Sequence, residues 1–490
     1  MFKTKSKLMK ILFNPIYRLK VDKGKVFIFH RGGIVSAEDQ HDEGFCGAIH
    51  PLHAIILSFL NGKEIDDTIE DIRKFIPIDA KELIQFITNL VDCECSKVIH
   101  YKNYSIVFPS RLIIVSDKTR DIVYNPKDFL LDNIDLSVSR PISVSKLTLM
   151  VNNICSTNCY YCYADKRKIV ENKISIERYK QIIEEAKING VVAIDVIGGE
   201  FFLYSHWKQL YKFLVEHNYY PLLSTKMCLK ESDIQFLSSN NCTQLQFSLD
   251  SLIPQTLNRM LGVNDRYVEN VKHTLRLLDK YGIKIAIHSI LTQKNSTEED
   301  FKSIFDFIKD FTNILYWKPD VGAESIYVNT AVHGSIVPTK KAQASVSVLC
   351  NKLQKNANFP ILSSGLEEKE MPSSAKTWAK FNERSVCAGN YLQLFVLPDG
   401  NVTICEELYW HPKFIVGNIL EQSLNDIWNS KAALNLYHLK QSEISDVSPC
   451  KTCRDYEACR IPKQVCYRDI VRKYGAKHWD YPDVNCPKCL

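Results

Sequence analysis

Three cysteines recur within eight residues, Cys155, Cys159 and Cys162, at gaps of three and two. They follow a short apolar run, Leu147, Leu149 and Val151, that reads as a strand. Thiolates at these gaps reach three corners of a small iron–sulfur cube, which takes four Cys ligands when closed. No fourth cysteine lies nearby, so one iron is left open, as catalytic metal centres leave a position open. A zinc site would pair two ligands with two more about 12–20 residues further on, and nothing suitable follows Cys162 at that distance. The spacing thus points to a reactive cluster rather than a structural ion, and the rest of the chain must fold to present it.

Seventeen cysteines would suggest disulfides in a small secreted chain, but this chain has 490 residues, enough for about three domains. The basic first twenty residues hold only a short apolar stretch, Met9 to Phe13, too short for a signal sequence. No apolar run approaches a membrane span. The expectation is a cytoplasmic protein without a membrane partner, in which clustered cysteines bind metal. A net charge of +6 is mild for this length, so nucleic acid is not an expected partner.

Residues 1 to about 25 read as a flexible arm. From Lys25 to Phe108 the pattern gives two short strands, three helices and a closing hairpin. Val26, Ile28 and Gly32-Gly33 suggest a first hairpin. Leu52–Leu60 reads as a buried helix, and Ile65, Ile69, Ile72 and Ile76, then Leu83, Ile87, Leu90 and Val91, recur at helical spacing. Val98–Tyr101 and Ser105–Phe108 read as a wing. Cys46, Cys93 and Cys95 in this segment read as free thiols. Strands Leu147–Val151, Val191–Ile197, Leu222–Thr225, Gln244–Leu249 and Lys284–Ile290 then alternate with amphipathic helices such as Ser175–Asn189 and Arg266–Tyr281. This alternation predicts βα units around a parallel sheet. About six units fit, fewer than the eight of a closed barrel, with the chemistry on loops at the strands' C-terminal ends. A helix near Ala342–Asn356 follows in a bridging stretch.

The three-Cys loop, with aromatic Tyr161 before its last cysteine, resembles that of the radical S-adenosylmethionine (radical SAM) family. The resemblance implies a partial (β/α)6 barrel. It also implies a 4Fe–4S cluster whose open iron is chelated by S-adenosylmethionine, which is cleaved reductively to a 5′-deoxyadenosyl radical. Gly198-Gly199-Glu200 at the end of the second strand matches the family's site for the amino group of the methionine part, with Phe201 in place of the usual Pro. By the same resemblance Ser224, Lys226, Ser248 and Asp250 would contact the ribose and carboxylate, and Arg259 lies where many members have a carboxylate-binding Arg. Ser289, Thr292 and Asn295, near the end of the fifth strand, read as pocket-lining.

The C-terminal cysteines, Cys387, Cys405, Cys450, Cys453, Cys459, Cys466, Cys486 and Cys489, resemble the SPASM extension of these enzymes, with Gly400 placed before Cys405 and one gap, Cys459 to Cys466, longer than usual. The family's interleaved ligation implies two auxiliary clusters, one on Cys450, Cys453, Cys459 and Cys486, the other on Cys387, Cys405 and Cys466. The second is either open or completed by Cys489. With the radical SAM cluster this makes three 4Fe–4S clusters. The N-terminal segment resembles the recognition module of peptide-modifying enzymes, in which a leader peptide adds a strand to a sheet edge. The predicted organisation is a winged-helix-like α+β module (1–125), a radical SAM partial barrel (126–345), a bridge (346–386) and a small Cys-rich SPASM domain (387–490). The Gly-Gly-Glu-Phe-Phe run resembles subtilosin-type maturases, which join a Cys sulfur to carbon. The expected function is an oxidative cross-link, a Cys thioether, in a ribosomally made precursor peptide bound through its leader. Electrons would come from a donor such as flavodoxin or ferredoxin. Sulfatase-maturase-like formylglycine formation is the alternative, with Glu406, directly after Cys405, as base. A non-catalytic peptide-binding scaffold fits less well, because a purely structural metal site would be closed.

Overall fold

The computed structural model describes residues 9–33, 44–119, 122–164, 169–327, 335–366, 378–382, 384, 386–409 and 411–488. The chain forms two compact units, residues 1–146 with 187–193, and residues 147–186 with 194–490. Among the described residues no helix is long and apolar enough to cross a membrane.

The first unit begins with strands where a flexible arm was expected. Strand β1 (Lys10–Phe13) and β2 (Tyr17–Asp22) are both largely buried. The reason lies in their side chains: Ile11, Phe13, Tyr17 and Leu19 join one core with Val26, Ile28 and the helices that follow, so the basic residues between them give a misleadingly polar average. Strand β2 pairs with β3 (Lys25–His30) across the two-residue loop Lys23-Gly24. Gly24 has φ +72°, the conformation such tight hairpin loops demand. A first reversal lies there, and the chain reverses again between β3 and β4 (Cys46–Ile49), which pairs antiparallel with β3 from the other side after Gly32-Gly33. Helix α1 (Pro51–Phe59) starts with His50 accepting the Leu52 N–H and with Pro at its first position. It leads to β5 (Asn61–Glu64), α2 (Ile65–Phe75) and α3 (Ala80–Leu90). The wing is β6 (Lys97–Tyr101) with β7 (Tyr104–Phe108). Strand β8 (Ile113–Val115) pairs with β1, which is flanked on its other edge by β5. The sulfurs of Cys93 and Cys95 lie 3.8 Å apart.

The second unit alternates strand and helix from β9 (Lys146–Asn152). In order follow α4 (Ile176–Ile188), β10 (Ala193–Gly198), α5 (Trp207–Glu216), β11 (Ser224–Thr225), α6 (Glu231–Ser239), β12 (Gln244–Ser248), α7 (Pro254–Leu261), α8 (Arg266–Lys280), β13 (Lys284–Leu291), α9 (Glu298–Ile308) and β14 (Ile314–Val321). Strands β11 to β14 pair in parallel, with Gln246 opposite Ser224 and Ser248 opposite His288. Strands β9 and β10 belong to a different sheet, so the six strands make an open, partial barrel. That sheet continues past β9 into β15 (Gln393–Val396), β16 (Asn401–Thr403) and β17 (Ile415–Asn418). The Cys-rich segment is thus built onto the barrel sheet itself. Arg178 on α4 secures the join, donating to the carbonyls of Ile419 (2.8 Å) and Gln422 (3.0 Å). Helix α10 (Lys340–Leu353) lies in the bridging stretch where a helix was expected.

Lys20 ties residues 187–193 to the first unit. Its buried amino group donates to Ser143 Oγ (2.9 Å), Val144 O (2.9 Å) and Asn189 O (2.8 Å), and burial lowers its pKa to about 8 despite nearby Asp22. Below pH 8 the ammonium is charged in folded and unfolded chains alike, and its desolvation destabilises the fold in full. Between about pH 8 and 10.4 only the unfolded chain keeps the proton, so stability rises with pH. Relative to Lys20→Met, the parent should gain about 2 kcal/mol between pH 7.5 and pH 10 in urea unfolding; a flat difference would show that Lys20 is not buried as an ammonium.

Candidate functional site

The cysteine loop leaves the end of β9 and is clamped on two sides. On one side the end of β10 docks against its stem: Gly199 N donates to Asn152 O (2.9 Å) and Glu200 N to Ile154 O (2.6 Å). Asn152 returns the bond, Nδ2 to Glu200 O at 2.9 Å, while its Oδ1 accepts the Ile154 N–H. A methyl group at Gly199 would overlap the Ile154 backbone, and one at Gly198, where φ is +134°, would overlap Asn152 O. The glycine pair is therefore required for backbone docking as well as for any ligand. On the other side the end of α7 accepts from the loop, Asn158 N to Leu261 O (2.7 Å) and Tyr160 N to Met260 O (3.0 Å). Cys155 is exposed, and Cys159 and Cys162 are half-buried.

Behind the loop lies a buried polar floor. Glu200 is 5% exposed, and burial pushes its carboxyl up to about 7 against the bonds from Thr225 Oγ1 (2.7 Å) and Phe202 N (3.3 Å). The nearby Lys226 ammonium favours its charged form without pairing with it directly, and its remaining lone pairs can accept a further ammonium. Asp250, fully buried, pairs with Lys226 at 2.8 Å and accepts from Tyr161 Oη and Ile290 N. Burial works against the Lys226 ammonium, yet Asp250 and the sulfurs of Cys159 and Cys162 hold its pKa above the ordinary value. Ser224, exposed, accepts from Gln246 Nε2 (2.9 Å), and Ser248 is half-buried at the end of β12. Arg259 is not drawn into this floor: it sits exposed on α7 with its guanidinium beside Thr256. Ser289, Thr292 and Asn295 are fully buried and serve packing rather than lining a pocket. Ser289 accepts the Trp317 indole N–H, and Thr292 and Asn295 cap one turn, with Asn295 donating to Asp250 O. Sequence reading assigned no role to Thr225 Oγ1, Tyr161 Oη or the amide of Asn152; polar side chains beside the motifs were the signal.

In the C-terminal segment Cys450, Cys453, Cys459 and Cys486 all line one cavity of about 530 Å³. The resemblance to the SPASM extension implies the same four. Among the described residues no three Cys, His, Asp or Glu side chains converge on one ion. The surroundings fit a group that is negative when thiolate-bound. Arg460 is 5% exposed, its Nη2 lies 3.7 Å from Cys450 Sγ, and its buried Nη1 has no hydrogen-bond partner. Cys387, Cys405 and Cys466 form a second group around Arg468 and Asp469. Burial pushes Cys387 up and Cys405 and Cys466 to about 12, so as bare thiols they stay protonated and only metal would hold them as thiolates. Cys489 lies outside the described residues. Glu406 is half-buried 3.4 Å from the hydroxyl of Tyr163, the residue after Cys162, with its carboxyl raised by burial and by Glu407. Glu407 is itself buried and paired with Arg468 (2.9 Å) and Arg472 (3.4 Å).

Residues 149–308 match the radical SAM superfamily, and residues 387–454 match the SPASM iron–sulfur cluster-binding domain. The chain is 22% identical over 292 residues to the sporulation killing factor maturation protein SkfB of Bacillus subtilis, covering 59% of this chain and 66% of that one. It is 20% identical over 308 residues to the antilisterial bacteriocin subtilosin biosynthesis protein AlbA of the same organism, 61% and 62% of the two chains. The match spans just under two thirds of each relative's length. Two structures of Streptococcus suis SuiB, bound to S-adenosylmethionine and to the precursor peptide SuiA, superpose with TM-scores of 0.60 and 0.58 at 14% and 15% identity, each over 97% of this chain and 99% of SuiB. That likeness establishes the fold. Residues 149–308 are thus a radical SAM domain and residues 387–454 a SPASM domain. The chain's cofactors are accordingly an S-adenosylmethionine-binding 4Fe–4S cluster and auxiliary iron–sulfur clusters.

Gly199→Ala should undock the loop stem from β10. Purified protein should lose about a third of its iron, on the basis of three similar clusters, and cease to make 5′-deoxyadenosine. Full iron with unimpaired cleavage would show that the docking is dispensable.

Proposed function

We propose that this protein is a peptide maturase that forms a thioether between a Cys sulfur and a carbon of a ribosomally made precursor peptide. The observation that carries the reading is the approach of Tyr163 to Glu406, which sets the residue after Cys162 against the residue after Cys405. That contact brings the neighbours of the two cysteine groups together, as oxidation of a single substrate by both would need. The relatives' names support peptide maturation as the class. Cys155, Cys159 and Cys162 would hold the radical SAM cluster, Cys450, Cys453, Cys459 and Cys486 one auxiliary cluster, and Cys387, Cys405 and Cys466 the other. When bound, these groups supply the electron that cleaves S-adenosylmethionine and accept the electron left by hydrogen removal. Glu200 takes the ammonium of the methionine part, and the Lys226 ammonium, fixed by Asp250, is placed for its carboxylate or ribose. A protein donor such as flavodoxin or ferredoxin supplies the electrons.

Formylglycine formation is the second reading, favoured by the position of Glu406 alone. A base there would take the proton of the reacting hydroxyl or thiol, and its loss would cost about a hundredfold to ten-thousandfold in rate. In thioether formation metal ligation deprotonates the sulfur, so Glu406→Gln should lower turnover by less than about tenfold. Mass spectrometry of the peptide should show two hydrogens lost per link. Collapse of turnover with full iron, or an aldehyde in the product, would select the second reading.

The leader would add a strand to the first unit's sheet at β4, an outer strand in the order β2-β3-β4. His30 N donates to Phe45 O, and by antiparallel alternation the N–H groups of Cys46 and Ala48 then point away from β3. Ala48→Pro would remove one outward donor while sparing the β3 ladder. Leader affinity in fluorescence anisotropy should fall by about tenfold or more, with peptide-independent cleavage of S-adenosylmethionine retained. Unchanged affinity would move the leader elsewhere.

A further inference from the structure

We infer that the cluster on Cys450, Cys453, Cys459 and Cys486 is the higher-potential auxiliary cluster, and that Arg460, Arg384 and Lys488 set it so. This rests on the ligand assignment proposed above. Three of the four sulfurs face a cationic donor: Cys450 faces Arg460 Nη2 (3.7 Å), Cys459 faces Arg384 Nη2 (3.8 Å) and Cys453 faces Lys488 Nζ (3.8 Å). Reduction adds one negative charge to a cluster, so N–H groups and positive charge at its sulfurs favour the reduced form.

The weight of each cation follows from its surroundings. Lys488 is exposed and shared with Asp455 at 2.6 Å, so water and salt screen it. Arg460 is buried between the rings of Tyr456 and Tyr467, at 5.7 and 5.9 Å. Its Nη2 also donates to the carbonyls of Asp480 (3.3 Å) and Tyr481 (3.0 Å), which carry no net charge. Among the described residues no carboxylate pairs with it. Asp483, which also lines the cavity, accepts instead from the backbone N–H groups of Cys466 and Asn485. Arg460 therefore acts at close range and in low dielectric, where a charge is felt most.

The site of Cys387, Cys405 and Cys466 has the opposite balance. Its Arg468 is engaged by Glu407 (2.9 Å) and Asp469 (3.0 Å), and Glu406 stands beside Cys405. Little uncompensated positive charge is left to favour reduction there. The long gap between Cys459 and Cys466 accounts for the difference. It holds Arg460 on the helix Tyr456–Lys463, which ends at Gln464, whose φ of +57° turns the chain back. The Gln464 carbonyl then accepts from Arg384 Nη2 at 3.2 Å, holding the second guanidinium in place. The residues that exceed the usual spacing thus help to position both arginines.

The test is a potentiometric titration followed by electron paramagnetic resonance. It uses the full-length reconstituted chain with Cys155, Cys159 and Cys162 changed to Ala, so that only auxiliary clusters respond. Dithionite supplies the single electron each cluster takes up. In this background, Arg460→Gln should move the higher of two reduction steps downward by about 60 mV, a tenfold change in a one-electron equilibrium, and leave the lower step in place. Arg460→Lys, which keeps the charge, should recover much of the shift. Movement of the lower step, or no movement at full iron content, would overturn the inference. If Arg460→Gln loses iron, exposed Lys488→Glu decides: the higher step must fall, and fall further at low salt, or the inference fails. The ligand assignment is tested separately, since Cys450→Ala in the same background must then lose about half of the iron.

Discussion

Everything reactive in this protein hangs on a backbone-to-backbone contact, the docking of Gly198-Gly199-Glu200 on Asn152–Ile154. A three-cysteine loop has no regular structure of its own to fix its sulfurs. Here its stem is hydrogen-bonded to the end of β10 and its middle to the end of α7, so two barrel elements position it. The same three residues then deliver Glu200 to the floor behind the loop, where Thr225 and Phe202 fix its carboxylate. Loop geometry and ligand pocket thus share one constraint. A side chain at Gly199 disturbs both.

The charges around the site divide by how they are compensated. Lys226 and Asp250 form a nearly complete pair, and removing either would leave a buried charge at a cost of about 3–5 kcal/mol. Glu200 and Arg460 are different, because each is a buried ionisable group with no direct ion pair among the described residues. Folding alone does not justify such groups; charged ligands at those places do. One carboxylate faces the space where an ammonium is expected, and one guanidinium faces the sulfur of Cys450.

The cysteine sets and the βα alternation were legible in the sequence because ligand spacing and hydrophobic period are local signals. The four cysteines that the family resemblance grouped line one cavity. The opening strands were missed because Lys10, Arg18 and Lys20 dilute the apolar pattern, and the burial of Lys20 through its amino group leaves no trace in composition. The earlier hairpin, β2 with β3, was missed because Lys23-Gly24 is a weaker turn signal than Gly32-Gly33. The pairing of β15 to β17 with the barrel sheet joins residues some 240 positions apart, through contacts such as Gln393 Nε2 to Thr148 Oγ1. No local pattern encodes that.

Those distant contacts decide how the two cysteine groups can cooperate. The segment after β14 reaches both: Ser325 Oγ donates to Tyr163 O at 2.9 Å, and Tyr327 Oη donates to the carbonyls of Glu407 and Tyr409. One short stretch therefore sets the residue after Cys162 and the residues after Cys405 at a fixed separation. Tyr163 and Glu406 then meet without any side chain having to search for its partner. Such pre-set geometry matters for a radical, which reacts with whatever lies nearest, so selectivity must come from placement more than from affinity. The sixth strand carries no recognisable motif. Its role is to hold the distance between two motifs that are legible only separately.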